Sequence, residues 1–109
     1  MEPKNLHQLT DEIVATFESY KQTGTKSWDY LIASRDLSYQ VGSLTKVIMQ
    51  MNNERYSKDS PDELKSKAAD ELADIMAETL FIAKELDIDM YQAWSKMIGS
   101  DNAKIAERK

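Results

Sequence analysis

Apolar residues recur along the chain at spacings of three and four, and alternation with a period of two is nearly absent. This pattern predicts helices throughout. The first is expected from Leu6 to Thr23, with the stripe Leu6, Leu9, Ile13, Phe17 and Tyr20. Asn5 is placed to cap its start, and Gly24 to end it. The second segment begins at Trp28 behind a Ser27 cap and carries Leu31, Ile32, Leu37, Val41, Leu44, Ile48 and Met51. Ser34 and Asp36 offer a second start, so it reads as one helix or two. The polar stretch Asn52–Ser60 is a loop. Ser60-Pro61-Asp62-Glu63 then gives a capping residue, a proline at the first helical position and a capping-box glutamate. The third helix runs from there to Leu86, and its broad apolar arc implies more than one partner. Asp89 caps a fourth helix with Met90, Ala93, Trp94, Met97 and Ile98, which Gly99-Ser100 interrupts or divides from a final short helix, Asp101–Arg108. The fold expected is an all-α bundle of four to five helices in a single domain spanning 1–109.

A chain of 109 residues with a formal net charge of −5 narrows the partners. Clustered Lys and Arg are missing, so nonspecific binding to nucleic acid is not expected. No apolar run approaches the roughly 20 residues of a membrane span. The N-terminus lacks the pattern of a secretory signal. A soluble, cytoplasmic domain is expected, and its small size favours oligomerisation. Cys is absent and His7 stands alone, so neither a thiolate nor a histidine metal site is available.

The chemistry concentrates on the third helix. Asp70, Glu71, Asp74 and Glu78 fall within about two turns, and Glu71, Asp74 and Glu78 form one stripe along the border of the apolar arc. Like charges at this spacing repel. A divalent cation with oxygen ligands, Mg²⁺ above all, relieves that repulsion. The plain alternative is a solvated acidic face, offset by Lys67 and Lys84. Gly24-Thr25-Lys26-Ser27 resembles the end of a phosphate-binding loop, but it follows a helix and lacks the first glycine, so it reads as a helix stop and start. Trp28 and Trp94 suit a core, a subunit interface or a base-stacking role. Arg35 and Asp36 read as a surface ion pair. Lys104 and Arg108, four apart on the last helix, either grip a phosphate or complement a helix end.

Asp70-Glu71-Leu72-Ala73-Asp74-Ile75, then an apolar helix, then Glu85-Leu86-Asp87-Ile88-Asp89-Met90, resembles the second half of the MazG-like all-α nucleoside triphosphate pyrophosphohydrolases. Ser38-Tyr39-Gln40-Val41-Gly42-Ser43-Leu44 stands where that family carries an EExxE helix. The resemblance extends from Leu37 to Arg108. It implies a helical bundle completed by dimerisation, as a homodimer or tetramer. It also implies Mg²⁺- or Mn²⁺-dependent hydrolysis of a (d)NTP to the monophosphate and pyrophosphate. Glu71 and Asp74 match the family's second pair of metal ligands and carry the catalytic role. Asn102, Lys104 and Arg108 match the tail that contacts phosphates or sugar. The first motif departs from the family, because Tyr39, Gln40 and Ser43 replace its three carboxylates. Gln40 and Glu78 are then the remaining candidate metal ligands, with Asp36 a further stand-in one turn before Gln40. The loss of charge leaves a second reading open: a non-catalytic helical dimer that binds a nucleotide or a protein partner.

Overall fold

A computed structural model describes residues 2–24 and 28–108. They form four helices: α1 (Leu6–Gln22), α2 (Tyr30–Met51), α3 (Pro61–Glu85) and α4 (Met90–Glu107). The predicted cap Ser27 and the segment Thr25-Lys26 lie outside the described residues.

Local chemistry sets the boundaries. The Asn5 side chain accepts from the Gln8 backbone N–H, and the Gln8 side chain accepts from the Asn5 backbone N–H, a reciprocal capping box. Asp29 caps α2 through the Ile32 N–H. The helix runs unbroken past Ser34 and Asp36, because Ser34 donates to the Leu31 carbonyl instead of starting a new turn. Ser60 caps α3 through the Glu63 N–H. Its hydroxyl donates to Glu63 Oε1 at 3.2 Å, so the Glu63 carboxylate meets the cap side chain. Asp89 caps α4, which continues through Gly99 without a break. A single helical glycine costs about 1 kcal/mol relative to alanine, too little to stop a helix flanked by good formers.

α2 and α3 end in the same way. The Glu54 N–H donates to the Met49 carbonyl and the Asn53 N–H to the Gln50 carbonyl. At the end of α3, Ile88 donates to Ala83 and Asp87 to Lys84. These bonds need a left-handed residue just past the helix, a place glycine usually takes. Asn53 (φ 59°) and Asp87 (φ 56°) occupy it here.

The α2–α3 hairpin is the centre of the molecule, and α1 lies across α3. Ala33 and Val47 of α2 are buried with Leu64, Leu80, Phe81 and Ala83 of α3. Phe17 extends this core from α1, with its ring 4.6 Å from Phe81 and 5.5 Å from Trp28, edge to face in both cases. α4 differs. Its principal contact is with α1, and it buries none of its residues. Trp94, expected in a core or an interface, is 55% exposed. The radius of gyration is 17.2 Å, against about 13 Å for a compact domain of this length. No helix among the described residues is long and apolar enough to cross a membrane.

Candidate functional site

The acidic stripe of α3 faces α2. Asp36 and Gln40 stand one turn apart on α2, and Asp74 and Glu78 one turn apart on α3. All four line one cavity of about 320 Å³. The rest of its lining includes Ile13, Phe17 and Tyr20 from α1 and Trp28 from the segment before α2. The cavity thus joins an aromatic wall to a carboxylate floor. Among the described residues that line it there is no Lys or Arg.

Glu78 is the unusual group. It is 4% exposed, the only buried charged residue among those described. Burial pushes its carboxyl up to about 8, and the hydrogen bond with Asp36 and the nearby charges of Asp36 and Asp74 push the same way. The pair Glu78 and Asp36 therefore favours holding a proton at neutral pH. Asp36 also accepts from Gln40 Nε2 at 3.3 Å. A carboxylate pair that bare repulsion would drive apart is held together by one proton and one amide. The expected surface pair between Arg35 and Asp36 does not form; Asp36 turns inward to Gln40 and Glu78 instead.

Two carboxylate oxygens are buried without a hydrogen-bond partner: Oε2 of Glu78 and Oε2 of Glu71. Glu71 is half-buried one turn before Asp74. Asp74 itself is exposed. Tyr39 is 68% exposed and does not fill the cavity. The fit to a hard divalent cation rests on donor chemistry. Carboxylates from two helices and an amide oxygen are donors of the type Mg²⁺ or Mn²⁺ takes, while Glu71 lies outside the lining of the cavity. In the present arrangement, no three acidic or histidine side chains among the described residues are drawn together as a metal would hold them.

The other predicted residues lie elsewhere. Asn102, Lys104 and Arg108 are exposed on α4, and α4 packs mainly on α1, so a single chain does not bring them to Glu71 and Asp74. Lys67 does not offset the α3 stripe; it pairs with Asp59 in the loop, and that bond and charge hold the Asp59 carboxyl below its usual range. The sequence pointed to the three acidic positions on α3 and named Asp36 as a stand-in. It gave no sign that Glu78 is the one taken out of water, because on the helix it only borders the apolar arc.

Set against known proteins, the chain matches no family model, no curated protein and no solved structure.

Proposed function

We propose that the α2–α3 site binds Mg²⁺, or Mn²⁺ in its place, and hydrolyses a nucleoside triphosphate to the monophosphate and pyrophosphate. The observation that carries this reading is the cavity that sets Asp36 and Gln40 opposite Asp74 and Glu78, beside the wall made by Phe17 and Trp28. A phosphate chain is repelled by such a floor unless a cation intervenes. Asp36, Glu71, Asp74 and Glu78 would hold the cation with their carboxylates, and Gln40 with its Oε1. When bound, the ion supplies charge for the phosphates and a water acidified towards hydroxide. Phe17 and Trp28 offer ring edges and faces to a base. To serve as a ligand, Glu78 would be held as the carboxylate.

The test is pyrophosphate release from a panel of common and modified (d)NTPs, with Mg²⁺ and with Mn²⁺, beside Glu71→Ala. Release by the native chain is expected, falling by at least 100-fold in Glu71→Ala. Undiminished release by the variant rejects the site.

One observation favours binding without hydrolysis: no three acidic groups are gathered as a metal would hold them. On that reading a nucleotide raises the melting temperature and no substrate is turned over.

We also propose that a second copy of the chain covers α4. Trp94 (55% exposed), Met97 (45%) and Ile105 (52%) lie on a helix without any buried residue, and the single chain is too extended for its length. Light scattering is expected to give a mass of at least twice 12.5 kDa, which Trp94→Asp with Ile105→Asp reduces to one chain. A native mass of one chain rejects the dimer.

A further inference from the structure

We propose that the α2–α3 cavity binds a short aliphatic diamine, with both nitrogens as ammonium ions, in the absence of any metal. Its charged lining is wholly acidic: Asp36, Asp74 and Glu78. The Glu78 side chain is the decisive one. It lines the cavity, it is 4% exposed, and its Oε2 has no hydrogen-bond partner. A buried polar atom left without a partner carries a desolvation cost that an entering donor relieves. An ammonium group brings three donors and a positive charge.

The acidic groups offer two stations. Asp36 is half-buried and Glu78 buried, whereas Asp74 is exposed one turn before Glu78 on α3. One turn rises by about 5.4 Å, which a short methylene chain spans. One ammonium sits at Asp36 and Glu78, and the second at Asp74. Among the described residues no three acidic groups converge as a metal would hold them. Two separate single charges match that spread.

The rest of the lining suits the same ligand. Phe17, Tyr20 and Trp28 bring aromatic surface to the cavity, and Ile13 adds an aliphatic one. The Phe17 and Trp28 rings are 5.5 Å apart, edge to face. Ring faces attract ammonium ions, most strongly those of Trp, and aromatic and aliphatic surfaces both cover methylene groups. A bare divalent ion uses only the oxygens; an alkyl diammonium uses oxygens and rings together. The volume, about 320 Å³, falls in the range of small-ligand pockets, about 300–1,000 Å³. The inference rests on this cavity alone and needs neither the metal nor the hydrolysis proposed above.

The test is calorimetric titration with 1,4-diaminobutane at neutral pH. A chelator removes divalent ions, and about 0.15 M NaCl screens exposed charges. Saturable binding of one diamine per chain is expected, with half-saturation at about 1 mM or below. Asp36→Asn should weaken it at least about tenfold, the loss of a charged hydrogen bond. Trp28→Leu should weaken it roughly threefold, the loss of a cation–ring contact. Asp74→Asn, at an exposed position, and 1-aminobutane, with a single ammonium, should each lose roughly threefold. Circular dichroism checks the fold of each variant. Absence of saturable heat, or an affinity that Asp36→Asn and Asp74→Asn leave unchanged, overturns the proposal; so does equal affinity for 1-aminobutane. With the chelator present, such a failure leaves the metal reading standing, and pyrophosphate release decides that reading separately.

Discussion

Glu78→Gln is expected to raise the melting temperature at pH 8 by roughly 10 °C and to flatten the dependence of stability on pH. The sign follows from proton counts. The Glu78 carboxyl titrates near 8 in the folded chain, against an ordinary value of 4.5. Between those values the folded state holds a proton that the unfolded state has released. Stability from this group is complete below about pH 4.5 and is lost as pH rises towards 8, at a slope of up to about 1.4 kcal/mol per pH unit. Glutamine keeps the shape of the side chain and a donor for Asp36, but has no charge to bury. Thermal unfolding of both chains from pH 5 to 9 reads the difference. Parallel curves would mean that Glu78 is ionised at no cost in the folded chain.

Gln40→Glu is expected to act in the opposite sense without metal and to strengthen metal binding. It removes the amide that donates to Asp36 and adds a carboxylate to a cavity already lined by Asp36, Asp74 and Glu78. The metal-free chain should lose on the order of 1–2 kcal/mol. Its affinity for Mg²⁺ should rise at least tenfold, because cation affinity follows the charge of the ligand set. Tyr39→Glu restores a second carboxylate of the resembled motif, yet it lies on the solvent side and should change neither quantity. Equal Mg²⁺ affinity for native and Gln40→Glu chains would remove Gln40 from the ligand set.

What the sequence disclosed divides along a physical line. Helix starts are local. Asn5, Ser60-Pro61 and Asp89 each satisfy backbone N–H groups within three residues, and each was legible from the chain alone. Asp29 caps α2 where the chain also offers Ser27, and Gly99 neither interrupts α4 nor divides a final helix from it, since one glycine costs too little to stop a helix. The candidate site was half legible. Spacing put Glu71, Asp74 and Glu78 on one stripe, and Gln40 and Asp36 on one side of the preceding helix. The joining of the two sets, and with it the burial of Glu78, depends on how α2 and α1 pack against α3. α4 shows the other limit: the apolar residues Trp94, Met97 and Ile98 mark a face that wants cover, but periodicity does not say which surface provides it.

The central proposal is that Asp36, Gln40, Asp74 and Glu78 of the cavity, with Glu71 one turn before Asp74, hold a divalent cation. Calorimetric titration of the native chain with Mn²⁺ at pH 7.5, in two buffers of different ionisation enthalpy, tests it directly. The result expected is saturable binding accompanied by proton release, as the cation displaces the Glu78 proton, with both signals lost in the Glu71→Ala, Asp74→Asn double variant. Absence of binding at millimolar Mn²⁺, or binding that survives in the double variant, would contradict it.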